Sequence, residues 1–298
     1  MILTSKTITH TLAGASISCA LLLVTLFGSQ MPLHNPTAAA ATEPLHLTLA
    51  PSAVTAKAAI VYNPITKEVL FEKNADSRLP LASLTKLMSA DAVLATHAAE
   101  EIVTISVENI RPSGDSGFKV GEKWNLGDLV RFALVASSND AMAAAAASLG
   151  GNAVDHMNAR VKELGLTQTY FFNPTGLDLD IETAGAYGSA RDVAIFTAAF
   201  LKHFSAAFEA TAKPSVSITS ANRTIEASST AAPLLSIPGL IGAKTGYTDL
   251  AGGNLVVAFD VEVGQPLIVA VLGSTHEGRF EDVKLLIAET RKLFAEQR

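Results

Sequence analysis

Cysteine occurs once in this 298-residue chain, at Cys19, inside an apolar N-terminal run. Everything downstream lacks a thiol, which excludes a disulfide framework, a cysteine nucleophile and cysteine-ligated zinc or iron–sulfur clusters. The 7 histidines are scattered and none belongs to a His-Glu-x-x-His pattern, so a metalloprotease has no basis here. Basic charge is short as well: 22 Lys and Arg against 28 Asp and Glu leave a net −6, which argues against nucleic acid as the main partner. Charged residues are only 17% of the chain and hydrophobic ones 49%, a foldable composition without a disordered bulk. The length allows one large domain or two small ones, at roughly 100–200 residues each.

The first 41 residues carry one charged side chain, Lys6. Leu12 to Gly28 (LAGASISCALLLVTLFG) is an unbroken apolar run, near the lower limit for a membrane-spanning helix and slightly longer than an ordinary export-signal core. A polar SQMPLHNPT follows, and then Ala38 to Ala41, which places small residues where a signal peptidase needs them. Residues 1–41 are therefore expected to be a signal peptide or an N-terminal membrane anchor plus linker. Cys19 sits too early in the apolar run to serve as a lipid-attachment site. The working part is expected over 42–298, exported to the cell envelope and touching a membrane only through the N-terminal segment if that is uncleaved.

Within 42–298, Ala58 to Tyr62 and Glu68 to Phe71 read as a hairpin around Asn63-Pro64. Leu84, Leu87, Met88, Ala90 and Val93 follow a 3.6-residue period, which predicts a helix over Ser83 to Ala95. Helices are also predicted over Asn125 to Val135, Asp140 to Leu149, Asn152 to Leu164 and Asp192 to Phe204. From Pro214 the pattern alternates, giving two short strands around a turn at Ser220 to Arg223. Longer strands follow at Ile241 to Gly246, Asn254 to Asp260 and Leu267 to Gly273, and Arg279 to Glu296 closes as a helix. Strands at both ends with helices between them predict an α+β fold: an antiparallel sheet flanked by helices, with an inserted all-helical subdomain over about 100–190.

Three short motifs carry chemistry. Ser83-Leu84-Thr85-Lys86 sets a hydroxyl and an amine three apart at a helix start, within side-chain reach. A serine hydroxyl needs an adjacent base, and a lysine serves when burial and a neighbouring cation depress its pKa. The plain alternative is a helix cap followed by a surface lysine. A second match, Ser116 to Lys119, lies in a Gly-containing loop and reads as a decoy. Ser137-Ser138-Asn139 stands at a helix–helix junction, where a hydroxyl could relay a proton and an amide could fix a carbonyl or the lysine; an ordinary N-cap explains it equally well. Lys244-Thr245-Gly246 ends a strand-like run that could pair with an extended peptide, Gly246 permitting close approach and Lys244 with Thr245 holding a carboxylate.

Together, and in this order, the motifs resemble those of the serine-type D-alanyl-D-alanine carboxypeptidases, the low-molecular-mass penicillin-binding proteins. AAIVYNPITKEVLFEKNADSRLPLASLTKLMSA, VGEKWNLGDLVRFALVASSNDA, MNARVKELGLTQTYFFNPTGLD and GLIGAKTGYTDLAGGNLV are similar to blocks of that family and extend the likeness over most of 56–298. The resemblance implies a DD-peptidase fold and removal of the terminal D-Ala from peptidoglycan stem peptides. Ser83 would be the nucleophile and Lys86 its base. Ser137 would pass a proton to the leaving amine, and Asn139 would orient Lys86 and the substrate. Lys244 would keep Lys86 neutral by its positive potential and draw the substrate carboxylate together with Thr245 and Gly246. The backbone N–H groups of Ser83 and Tyr247 would form the oxyanion hole. Arg279 is a further candidate for the carboxylate site, with a surface arginine as its plain alternative. No metal or cofactor is implied, and β-lactam antibiotics are expected to acylate Ser83. Many family members add a β-rich domain and a C-terminal anchor, which the chain ending at Arg298 is expected to lack.

Three alternatives compete. A class A-like β-lactamase needs a carboxylate for deacylation, and Glu163, Asp178, Asp180 and Glu182 all lack the expected surrounding motif. A DD-endopeptidase acting on peptidoglycan cross-links shares all three motifs. A non-catalytic peptidoglycan-binding module would have no need of a paired nucleophile and base.

Overall fold

The computed structural model describes residues 45–111 and 116–297, so the export segment expected over 1–41 lies outside the described residues. The first strands are β1 (Ala58–Tyr62), β2 (Val69–Lys73) and the two-residue β3 (Leu79–Pro80), followed by helix α1 (Thr85–Thr96). The middle contains β4 (Ile102–Thr104), β5 (Lys123–Asn125), α2 (Leu126–Val135), α3 (Asn139–Ala147), α4 (Ala153–Glu163), β6 (Tyr170–Phe171) and β7 (Ala186–Gly188). The chain continues with α5 (Ala190–Glu209), the hairpin β8 (Ser215–Thr219) and β9 (Thr224–Ser228), the long strands β10 (Leu240–Thr248), β11 (Gly252–Glu262) and β12 (Gln265–Ser274), and the closing helix α6 (Gly278–Ala295).

A five-stranded antiparallel sheet, in the order β10-β11-β12-β1-β2, organises these elements. Its central strands are apolar on both faces, which requires cover on both sides. Ile60, Val256, Ala258, Ile268, Ala270 and Leu272 point into the larger core, shared with α1 to α5. Their neighbours Val61, Leu255, Val257, Phe259, Val269 and Val271 point the other way and meet Phe280, Val283, Leu286 and Ile287 of α6. The larger of these side chains each contribute on the order of 1.5–3 kcal/mol when fully buried. The fold is thus the mixed α+β arrangement that the strand and helix order implied.

The differences from expectation are local. The insertion at 100–190 holds three helices but also β4 to β7, strands of two or three residues that are too short to show alternation in sequence. Strands β10 and β11 reach Thr248 and Glu262, beyond their apolar cores, because backbone pairing continues through polar residues. Most relevant to function, α1 begins at Thr85. Ser83 lies in a single 3-10 turn, Ala82–Leu84, entered through Ala82 in the left-handed region at φ 48°.

One carboxylate fastens α6 to the sheet. Asp282, 3% exposed, accepts from Thr55 N at 2.7 Å, Thr55 Oγ1 at 2.8 Å, Ala56 N at 2.9 Å and Ser274 Oγ at 2.8 Å. Removing it strands two backbone donors and two hydroxyls, each costing about 1–3 kcal/mol when left unpaired. Asp282→Ala should therefore lose on the order of 3 kcal/mol in urea unfolding. Asp282→Asn should lose less, since it keeps an acceptor; equal stability of Asp282→Ala and wild type would refute the role.

Candidate active site

Four segments meet around one buried amine. Lys86, in the first turn of α1, has no exposed surface. Its Nζ lies 2.8 Å from Ser83 Oγ, 2.7 Å from Asn139 Oδ1 and 2.8 Å from the Thr175 carbonyl oxygen. A neutral amine has two N–H groups and one lone pair. The amide and peptide oxygens can only accept, so they take the two hydrogens, and the lone pair is left for the one partner with a proton to give, the Ser83 hydroxyl. Burial lowers the Lys86 pKa to about 7.

The second segment joins α2 to α3. Ser137 adopts a left-handed φ of 60°, a strained conformation for a non-glycine residue. Ser138 supplies the N-cap of α3, its Oγ accepting from Ala141 N at 3.1 Å, and Ser116 Oγ donates to it at 2.7 Å. The middle serine is thus the cap, while Ser137 and Asn139 hydrogen-bond the two lysines. The Ser116 hydroxyl, from the second Ser-x-x-Lys match, braces this loop.

Strand β10 is the free edge of the sheet and carries the third motif. Lys244, also without exposed surface, donates to Ser137 Oγ at 2.8 Å and to the Thr245 carbonyl at 2.8 Å. Its pKa is held well below the usual lysine value by burial first, then by the charges of Lys86 and Arg279. Among the described residues, none of the hydrogen bonds of either lysine goes to a carboxylate. Sequence reasoning assigned the neutrality of Lys86 to the potential of Lys244; burial is the cause at Lys86, and the repulsion is felt at Lys244. Arg279 is no surface residue: at 5% exposure its Nη1 donates to the Gly246 carbonyl at 2.7 Å, and its Nη2 lies 3.2 Å from His276 Nε2. Tyr247 is half exposed, its ring edge-on to His276 with centroids 5.1 Å apart.

The fourth segment was missed as part of the site. Asn173 Oδ1 accepts from Thr175 N at 3.1 Å and Gly176 N at 2.7 Å, while its Nδ2 donates to the Leu177 carbonyl at 2.8 Å. This folds residues 173–177 into a turn that presents the Thr175 carbonyl to Lys86. The Asn-Pro and Thr-Gly pairs mark a turn in sequence, but not one that reaches an amine 89 residues away. The turn that carries Ser83 is pressed between two glycines. A Cβ on Gly176 (φ 80°) would overlap the Ala82 carbonyl, and one on Gly246 would stand 3.0 Å from the Leu81 carbonyl and 3.2 Å from Ser83 N. Asn254, fully buried in β11, donates to the Pro80 carbonyl at 2.8 Å and accepts from Gly273 N at 2.8 Å, holding the approach to the turn against the sheet.

Residues 45–276 match the family described as D-alanyl-D-alanine carboxypeptidase. A D-alanyl-D-alanine carboxypeptidase of Bacillus subtilis is 31% identical over 213 residues, covering 65% of this chain and 51% of the relative. A D-alanyl-D-alanine endopeptidase of Pseudomonas aeruginosa is 34% identical over 170 residues, 54% of each protein. The chain spans between about half and two thirds of the length of the first curated relatives it matches. Among solved structures, penicillin-binding protein D2 of Listeria monocytogenes in its cefotaxime-bound form superposes with a TM-score of 0.70 at 32% identity, covering 79% of this chain and 97% of that one.

Two outcomes follow from the geometry. Labelling of Ser83 by a fluorophosphonate should rise with pH up to about 7 and level off above it, because Lys86 has its lone pair only when deprotonated. Lys86→Met should flatten this profile and slow labelling by about 10²–10⁴. Gly176→Ala should push the Ala82 carbonyl aside and slow labelling by at least about tenfold, as about 1 Å of misplacement costs; labelling at the wild-type rate would show the turn to be tolerant.

Proposed function

Because this chain belongs to the D-alanyl-D-alanine carboxypeptidase family, we propose that it is a serine DD-carboxypeptidase that removes the terminal D-Ala from peptidoglycan stem peptides. The observation that carries this reading is the Lys86 amine, with two oxygen acceptors on its hydrogens and its lone pair left for Ser83.

Ser83 Oγ attacks the carbonyl between the two terminal D-alanines while Lys86 takes the hydroxyl proton. The N–H groups of Ser83 and Tyr247 stabilise the oxyanion, an effect of about 10²–10³ in rate per donor. Ser137, in contact with Lys244, relays the proton taken by Lys86 to the leaving amine, giving its own hydroxyl proton and regaining one from Lys86, and free D-Ala departs while the acyl group stays on Ser83. Asn139 holds Lys86 in place and offers its amide to the substrate backbone. The stem peptide lies extended along the free edge of β10, with Lys244, Thr245 and Gly246 about its terminal carboxylate. Arg279 acts from beneath the strand through the Gly246 carbonyl. Water then hydrolyses the acyl-enzyme. β-Lactams enter by the same route and stop at the acyl stage.

The fate of the β-lactamase candidates supports slow deacylation. Asp178 is engaged by Thr248 Oγ1 at 3.0 Å and Leu250 N at 3.4 Å, Glu163 by Arg160 at 3.0 Å, and Asp180 by Glu182 N and Thr183 N, both at 2.8 Å. The likeness to an endopeptidase supports a second reading, cleavage of peptidoglycan cross-links at the same site. The apolar segment before residue 42 supports export to the cell envelope.

The test is intact mass after incubation with benzylpenicillin, with release of D-Ala from a pentapeptide followed in parallel. A lasting adduct of one penicillin on wild type, none on Ser83→Ala, and D-Ala released only by wild type is the expected result. Rapid penicillin turnover would point to a β-lactamase, cleavage of cross-linked dimers alone to an endopeptidase, and no reaction at all to a binding module.

A further inference from the structure

Thr245 does not stand alone at the crevice. Its Oγ1 donates to Thr230 Oγ1 at 2.8 Å. Thr230 comes from a separate part of the chain, just after β9, and sequence reasoning gave it no role. Its backbone N–H donates to the Val135 carbonyl at 3.1 Å, at the end of α2, and its hydroxyl reaches the same carbonyl only at 3.4 Å. Two consequences follow. The residue is anchored by its backbone, so the hydroxyl is not needed to satisfy Val135. At 3.4 Å that hydroxyl makes a long, weak bond and is free to turn.

Two hydroxyls 2.8 Å apart are close enough for both to donate to one carboxylate group. Thr245 gives its proton to Thr230. An anion placed against the pair would draw one proton from each: Thr245 would turn from Thr230, and Thr230 would turn from Val135, whose carbonyl keeps its backbone donor. No buried group is left unpaired by the exchange, and two neutral bonds are replaced by two charge-assisted ones. Thr245 is buried and Thr230 only partly so, which leaves the pair open on one side.

We propose that Thr230 is the second hydroxyl of the terminal-carboxylate subsite and that it sets the preference for peptides ending in a free carboxylate over those whose C-terminus is substituted. The proposal rests on the peptidase reading and deepens it by naming a group that reads the free C-terminal carboxylate of the substrate.

The experiment uses the full chain, as wild type, Thr230→Val and Thr230→Ser, on two pairs of probes. One pair is a peptide ending in D-Ala-D-Ala and the same peptide as its C-terminal amide, read as kcat and KM. The other is benzylpenicillin and its methyl ester, read as the rate of acylation of Ser83. Thr230→Val should lose about 10- to 100-fold on the carboxylate member of each pair, mainly through KM for the peptide, and change little on the neutral member. Thr230→Ser should retain the wild-type preference. Equal losses on both members, or an unchanged ratio, would overturn the assignment in favour of a structural contact. If wild type cleaves neither peptide, the carboxypeptidase reading fails while the penicillin pair still judges Thr230; acylation by neither penicillin overturns both.

Discussion

Burying an amine costs several kcal/mol unless each of its hydrogens and its lone pair is answered, and the interior around Lys86 is built to answer them. Ser83, Asn139 and the Thr175 carbonyl come from three separate stretches of the chain, each within 2.8 Å of one nitrogen. Displacing any of these segments leaves the amine either charged in a dry pocket or short of a partner. The requirement that lowers the Lys86 pKa toward neutrality is thus the one that brings the Ser83 turn, the Ser137 loop and the 173–177 turn to one point. Lys244 adds a second buried amine across the crevice, its pKa held low by burial first and then by the charges of Lys86 and Arg279.

The sheet supplies what this convergence needs, a stiff reference. Strands β11, β12 and β1 are covered on both faces, so β10 is held in register along its inner side and leaves its outer edge free. Asn254 transmits that rigidity from β11 to Pro80, three residues before Ser83. On the other side, Asp282 secures α6, which carries Arg279 under the Gly246 carbonyl. Precision at the site therefore comes from elements whose own residues are ordinary core.

Much of this was legible in the chain. The apolar runs Ala58 to Tyr62 and Leu267 to Gly273 read as strands because continuous burial leaves an unmistakable mark, and the 3.6-residue period of Leu84 to Val93 marked α1. Ser83, Lys86, Ser137, Asn139 and Lys244 were picked out by side-chain chemistry, and the structure brings all five together. Asn173, Thr175, Thr230 and Asn254 were not. Thr175 acts through its backbone carbonyl, which every residue has, and Asn173 acts by shaping a turn. Thr230 and Asn254 are common polar residues whose partners lie far away in sequence, so no spacing announces them.

The sequence by itself determined which functional groups are available, the order of strands and helices, and the chemical class that the three motifs share, since these depend on side-chain identity and short-range periodicity. Tertiary structure alone decided that Ser83 sits in a strained 3-10 turn, that Arg279 is buried, that Thr230 meets Thr245 and that Lys86 is dry. Those facts depend on desolvation and on contacts between residues dozens of positions apart. Both exist only once the two faces of the sheet have been covered.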